Sequence, residues 1–179
     1  FLFNSLNAVL SLIRARPQQA EAALESLADL FRAAMRDPGE LVSLSDEIAL
    51  ARQYLELEHL RLGERLAVDW RIGAVSMDLP IPPLMLQPLL ENAVYHGIEP
   101  APAGGTVTIA LDRRGDELRI AIANPVAGPL SHAAGNRMAV DNIRERLALY
   151  YDLEARLETD AGPGTYEVRI VLPCRTPNR

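Results

Sequence analysis

Between Leu84 and Gly97 runs the stretch Leu-Met-Leu-Gln-Pro-Leu-Leu-Glu-Asn-Ala-Val-Tyr-His-Gly, apolar in its first half and polar in its last turn. Glu91, Asn92, Tyr95 and His96 are one, three or four positions apart, the spacing that brings side chains of consecutive helical turns onto one flank. A carboxamide such as that of Asn92 offers a neutral oxygen to a divalent cation, which in turn neutralises phosphate oxygens. The same four residues also suit a helix end that faces water, with His96 as a C-terminal partner of the helix dipole.

Other chemistries find less support. All 18 basic residues are arginine, so a P-loop lysine and Schiff-base chemistry are excluded, and any phosphate must be held by other groups. Cys174 is the single cysteine, which leaves no disulfide framework and no CxxC motif and fits a reducing compartment. His59 and His132 have no ligand-type residue at metal-site spacing, and no G-x-S-x-G elbow is present. Trp70, in a strand-like run, reads as a core or interface aromatic. A net charge of −6 supplies no excess of positive charge for a phosphate backbone or an anionic membrane, so nucleic acid is not an expected ligand. Phe1 to Ile13 is interrupted by Asn4, Ser5, Asn7 and Ser11, too polar for a spanning helix or a signal peptide. The chain begins without Met inside a helical pattern, and the expectation is a piece of a longer protein whose upstream part could reach a membrane.

The elements that must position these residues fall into two groups. Residues 1 to 62 are helical in pattern: Leu2, Leu6, Val9, Leu10 and Ile13, then Leu24, Leu27, Phe31, Ala34 and Met35, form a stripe at three- and four-residue steps. Pro17 predicts a break near Arg16, and Asp37-Pro38-Gly39 a stop. Ser43 and Asp46 have capping-box spacing, with Asp46 and Glu47 at the positive end of a further helix carrying Ile48, Ala51, Leu55 and Leu62. Such stripes predict pairing with a second copy into a four-helix bundle, the alternative being a helical cap folded on its own domain.

After Gly63, strand-like runs at 66–72, 106–112, 118–123, 155–159 and 166–172 alternate with helical patterns from Pro83 to about Gly97 and from about Met138 to Tyr151. Turns at Arg114-Gly115-Asp116 and Gly162-Pro163-Gly164 predict antiparallel hairpins. The expected fold is therefore α+β, a sandwich with helices on one face of a largely antiparallel mixed sheet. Residues 125–137 read as one long irregular loop, of the kind that often acts as a lid.

Leu-Gln-Pro-Leu-Leu-Glu-Asn-Ala-Val-Tyr-His-Gly (86–97) resembles the N-box of LytS/YehU-type sensor histidine kinases. Phe1-Leu2-Phe3-Asn4-Ser5-Leu6-Asn7 is similar to the segment that follows the family's phosphoacceptor histidine. Leu44 to Ile48 and Tyr54 to Leu66 match the family's second helix and its junction with the ATP domain, so the likeness spans essentially the whole chain and lies nearest the AlgZ/FimS branch. The resemblance implies a helical dimerisation segment at 1–62, preceding a GHKL (Bergerat) ATP-binding domain at 63–179. It further implies ATP and Mg²⁺ as ligands, Asn92 on the metal, and Glu91, Tyr95 and His96 on the nucleotide. The phosphoacceptor histidine would stand immediately before Phe1, so this segment would bind nucleotide without autophosphorylating.

Three glycine boxes complete the comparison. Asn124-Pro125-Val126-Ala127-Gly128 occupies the place of the family's DxGxG; the Asn124 carboxamide can accept from adenine, without the charge that strengthens such a bond. Spacing alone equally allows a strand end turned by Asn-Pro. Gly135-Asn136-Arg137-Met138 stands where relatives have GxGxGL, with Gly135 the one remaining glycine, Arg137 as a source of positive charge, and Asn142 opening the better-matched Asn-Ile-Arg-Glu-Arg-Leu. Gly162-Pro163-Gly164-Thr165 resembles GxGT, although a hairpin would require those glycines anyway. Tyr95 replaces a lysine common in relatives. By the resemblance the partners are a response regulator and a second copy of the chain, in the cytoplasmic portion of a bacterial inner-membrane sensor. Two rival expectations are a degenerate, noncatalytic dimerisation and regulator-binding module, and an ATPase or chaperone-like GHKL protein.

Overall fold

In the computed structural model, residues 2–37, 39–126 and 133–175 are described. Three helices come first: α1 (Leu2–Leu12), α2 (Pro17–Ala34) and α3 (Leu44–Leu62). Pro17 starts α2, where its missing N–H costs nothing and its fixed φ is already helical. The Ser43 hydroxyl accepts from the Asp46 N–H at 3.1 Å and caps α3 as its spacing predicts. Val9, Ala20, Ala23, Leu27 and Leu30 pack on Ile48, Ala51 and Leu55. Phe3 and Leu10 of α1, Ile13 just after it, and Leu24, Phe31 and Met35 of and after α2, remain exposed.

The chain passes from α3 through a single 3₁₀ turn, Gly63–Arg65, directly into a strand. The short strands β1 (Val42–Ser43) and β3 (Pro80–Ile81) pair antiparallel beside the start of α3. The main sheet has five strands in the order β2-β4-β5-β7-β6: β2 (Leu66–Ile72), β4 (Gly105–Arg114), β5 (Glu117–Pro125), β6 (Arg156–Gly162) and β7 (Thr165–Pro173). Only the β2 to β4 pairing is parallel. The two expected hairpins close on two-residue turns, Gly115-Asp116 and Pro163-Gly164, with Gly115 and Gly164 at positive φ.

Period-two alternation gives the sheet one buried face. Val107, Ile109 and Leu111 on β4, Leu118, Ile120 and Ile122 on β5, and Val168, Ile170 and Leu172 on β7 all point inward. Against them lie α4 (Gln87–Asn92), the π-helical turn Ala93–Ile98 that continues it, and α5 (Ala133–Tyr151). The α+β sandwich is therefore as expected. Two boundaries differ. The helix expected from Pro83 starts at Gln87, because residues 83–86 bend and Leu84 takes a positive φ of 56°. The helix expected from Met138 starts at Ala133, so the expected loop at 125–137 is shortened at that end, while 127–132 fall outside the described residues. Among the described residues no helix is long and apolar enough to cross a membrane.

Replacing Ser43 with Ala should remove the α3 cap and lower stability by about 1 kcal/mol, read as a fall in the urea midpoint at unchanged slope.

Candidate functional site

The polar end of α4 is built differently from an ideal α-helix. The Glu99 N–H donates to the Val94 carbonyl at 2.9 Å, a five-residue step, so Ala93–Ile98 is wound more loosely than α4 before it. The expected three- and four-residue convergence of Glu91, Asn92, Tyr95 and His96 therefore holds only in part. Glu91 and Asn92 are half-buried, whereas the Tyr95 side chain is 63% exposed and meets the His96 ring edge-on, 4.8 Å between centroids. Gln87 donates to Glu91 at 2.9 Å and orients its carboxylate.

Across from α4, the middle of α5 supplies the other wall of a cleft of about 270 Å³, lined by Leu84, Pro88, Glu91, Met138, Ala139, Asn142, Ile143 and Arg146. Glu91 and Asn142, expected at one site, do face one space. This is just below the usual size range of small-molecule pockets, about 300 to 1,000 Å³. A larger cleft of about 740 Å³ lies between α2, α3 and β2, where Arg52 stacks on Trp70 at 4.4 Å. None of the expected site residues lines it, and chemistry rather than volume selects the smaller cleft.

Asn124 is brought to the helices by strand periodicity: Leu118, Ile120, Ile122 and Asn124 share the core face of β5, and Asn124 is 6% exposed. Its Nδ2 donates to the Pro125 carbonyl at 2.8 Å, which leaves Oδ1 as the oxygen the side chain can offer a ligand. It packs on Gly97, where a Cβ would stand 2.4 Å from Nδ2, so only glycine fits at that point of the π-turn. The last hairpin joins the same corner. Thr165 pairs with Pro125, and the Val126 N–H donates to the Gly164 carbonyl at 3.0 Å. Gly162, Gly164 and Thr165 thus adjoin the Asn124 strand end. Gly135 and Arg137 lie in the first turns of α5 rather than in a loop; first-turn amides of a helix have no intrahelical partner. Gly128 lies outside the described residues.

Residues not anticipated as functional surround α4. Glu47, expected to favour the α3 dipole, is 2% exposed and reaches across to the bend before α4. Glu58, also 2% exposed, accepts from Arg61, which donates to Glu99 as well. Burial pushes the Glu58 carboxyl above its ordinary range despite Arg61. Tyr54 is held well above the ordinary phenol range, first by burial and then by the charges of Glu58 and Glu91. Arg65 donates to the carbonyls of Ile98, Glu99 and Ala101 at 3.3, 2.9 and 3.0 Å. A signal was present: in Leu44, Glu47, Ile48, Ala51, Tyr54, Leu55, Glu58, Leu62, both acids occupy stripe positions of α3, where a carboxylate must find buried donors. His59 is a structural residue, its Nδ1 at 3.1 Å from the Leu66 carbonyl oxygen.

A family model described as "Histidine kinase" matches residues 1–66. The chain is 34% identical over 165 residues to the sensor histidine kinase BtsS of Escherichia coli, covering 90% of the chain and 29% of the relative. It is 28% identical over 190 residues to the sensor protein LytS of Oceanobacillus iheyensis, covering 98% of the chain and 32% of the relative. These matches support a LytS/YehU-type histidine kinase. It spans about a third of the length of these curated kinase relatives. Among solved structures, the nucleotide-free catalytic domain of the histidine kinase ThkA matches 78% of this chain and 98% of its own at a TM-score of 0.58 and 12% identity. Full-length ShkA in complex with AMPPNP matches 91% of this chain and 38% of its own at a TM-score of 0.52 and 20% identity. At such identities the likeness is one of fold: that of a histidine kinase catalytic domain.

Gly97→Ala should force Asn124 off its seat and cost about 1 to 3 kcal/mol in urea denaturation. An unchanged midpoint would mean that the strand end and the π-turn are not in contact.

Proposed function

We propose that residues 63–179 bind ATP with Mg²⁺ in the cleft between α4 and α5, and that residues 1–62 form the dimerisation segment of a protein-histidine kinase. Two observations carry this reading: Glu91 and Asn142 line one cleft between α4 and α5, and Asn124 at the end of β5 is locked beside Gly97 of the turn that continues α4. The donor set suits the ligands. Asn124 Oδ1 can accept from the adenine amino group, the amides opening α5 would face phosphate, and Arg137 would supply positive charge. Asn92, a half-buried neutral oxygen donor, would hold Mg²⁺ together with phosphate oxygens. Bound there, Mg²⁺ would offset the charge that develops in phosphoryl transfer.

The chain's own part is positioning. Asn92, Asn124 and the hairpin at Gly162, Gly164 and Thr165 orient the nucleotide, with Tyr95 and His96 at the rim. The γ-phosphoryl group would pass to a histidine immediately upstream of Phe1, and from there to an aspartate of a response regulator. The exposed apolar side chains of α1, of α2 and of the turn between them, Phe3, Leu10, Ile13, Leu24 and Phe31, supply a face for a second copy. This assignment makes the chain the cytoplasmic part of an inner-membrane sensor.

A second reading, a degenerate module that dimerises and binds its regulator without transferring phosphate, draws on two observations. Tyr95 points to solvent where relatives carry lysine, and the reduced second glycine box is helical.

Calorimetric titration with Mg-AMPPNP should give saturable heat, and Asn92→Ala should weaken binding by at least about tenfold, the equivalent of 1.4 kcal/mol. The absence of both heat and thermal shift at millimolar nucleotide would sink the kinase reading in favour of the module. In the full-length protein, radiolabel from γ-labelled ATP should appear on the upstream histidine and be lost in its Gln variant.

A further inference from the structure

The segment Pro82 to Leu86 enters α4 through an unusual piece of backbone. Leu84 takes a φ of 56°, a left-handed conformation that a branched side chain rarely adopts unless its surroundings hold it there. Two side chains from different elements do so. The Glu47 carboxylate of α3 accepts from the Leu84 N–H through Oε2 and from the Leu86 N–H through Oε1, both at 2.9 Å, so both of its oxygens are engaged. Arg146 of α5 donates through Nη1 to the Pro83 carbonyl, and at 3.3 Å to the Leu84 carbonyl.

The Pro83 carbonyl and the Leu84 N–H belong to the same peptide group. One rigid plane is therefore held at its oxygen by α5 and at its nitrogen by α3. Burial pushes the Glu47 carboxyl up; the N–H groups of Leu86, Leu84 and Met85 and the charge of Arg146 pull it back toward ionisation. Leu84 itself lines two clefts. One is the candidate nucleotide cleft, which also contains Arg146; the other lies between α2, α3 and Pro83 and contains Glu47.

We propose that Glu47 and Arg146 are coupled positioning residues that act through the Pro83–Leu84 peptide to link the nucleotide cleft with helix α3. This proposal rests on the nucleotide reading for the identity of the cleft's occupant; the mechanical link between α5, the peptide and α3 stands apart from it. A ligand that draws α5 toward α4 moves Arg146, and with it the peptide oxygen. The same plane then pulls on the N–H held by Glu47. A rotation of α3 acts through the same bonds in reverse, and the two effects must be equal in free energy.

Amide exchange and nucleotide titration of the full chain, in Glu47→Gln, Arg146→Met, the double variant and Glu47→Gln with Leu84→Gly, test the link. Arg146→Met, although the hydrogen bonds of Arg146 to this segment go to carbonyls, should raise exchange at the Leu84 N–H about tenfold while Ile120 and Ile170 in the sheet keep their protection, which also shows that the fold is intact. Each single variant should weaken Mg-AMPPNP binding about tenfold, with the double variant no more than about twofold worse than either, the non-additivity expected of side chains acting on one group. Leu84→Gly, which relaxes the left-handed backbone, should restore most of the affinity lost in Glu47→Gln. Multiplying single effects, no rescue by glycine, or unchanged Leu84 exchange in Arg146→Met would overturn the coupling. If the wild-type chain binds no nucleotide, the nucleotide reading fails and the exchange measurements alone decide the link.

Discussion

The arrangement of this molecule depends on helix α3 holding the short helix α4 at both ends. At the front, a buried carboxylate, Glu47, gathers the backbone N–H groups that precede α4. At the back, Arg65 takes the carbonyls that follow the π-turn, and Arg61 joins Glu58 to Glu99. A six-residue helix is too short to persist on its own, since nucleation is costly and each end leaves backbone groups unsatisfied. Here the leading N–H groups are satisfied by Glu47 of α3 and the trailing carbonyls by Arg65 of the 3₁₀ turn that follows it. An isolated buried carboxylate would be costly to ionise, and the converging donors at the bend 84–86 offset part of that cost for Glu47, whose carboxyl burial still holds above its ordinary range.

The sheet adds a second constraint. Its inward face carries apolar side chains at every other position until β5 reaches Asn124, where the alternation delivers an amide into the same layer. That amide fits because residue 97 lacks a side chain, and the hairpin 162–165 is bonded to the adjacent backbone. A side chain placed by strand periodicity and locked by a glycine contact needs little reorganisation to meet a ligand. The cleft between α4 and α5 is built by helices instead, so it and the strand end rest on different kinds of order.

Most of the architecture was legible in the chain. Strand positions, hairpin turns, the Pro17 break and the Ser43 cap follow from local chemistry, and each lies close to where it was expected. The family resemblance selected Glu91 in the N-box, Asn142 after the second glycine box and Asn124 in the first; Glu91 and Asn142 line one cleft, and Asn124 is locked at the strand end. What escaped was long-range. Nothing local marks Leu84 for a left-handed conformation, which is set by Glu47 and Arg146, residues 37 and 62 positions away. The π-turn likewise depends on packing against β5 and on the Arg65 contacts, so helical spacing placed Tyr95 beside Asn92 although its ring is exposed. Glu47 and Glu58 were visible as acids on an apolar stripe, but a stripe does not say which donors they will find.

The passage from α3 to the sheet has no slack. Gly63, at φ 59° and ψ −139°, ends the helix, one 3₁₀ turn follows, and β2 begins at Leu66. Within that turn the Arg65 carbonyl lies so close to Gly104 that a Cβ there would stand 2.0 Å from its oxygen, while the Arg65 side chain is tied to 98–101. Most units of a chain are joined by solvated linkers that let each side tumble on its own. This join leaves no such linker, so a twist of α3 about its axis bears directly on the parallel edge strand β2.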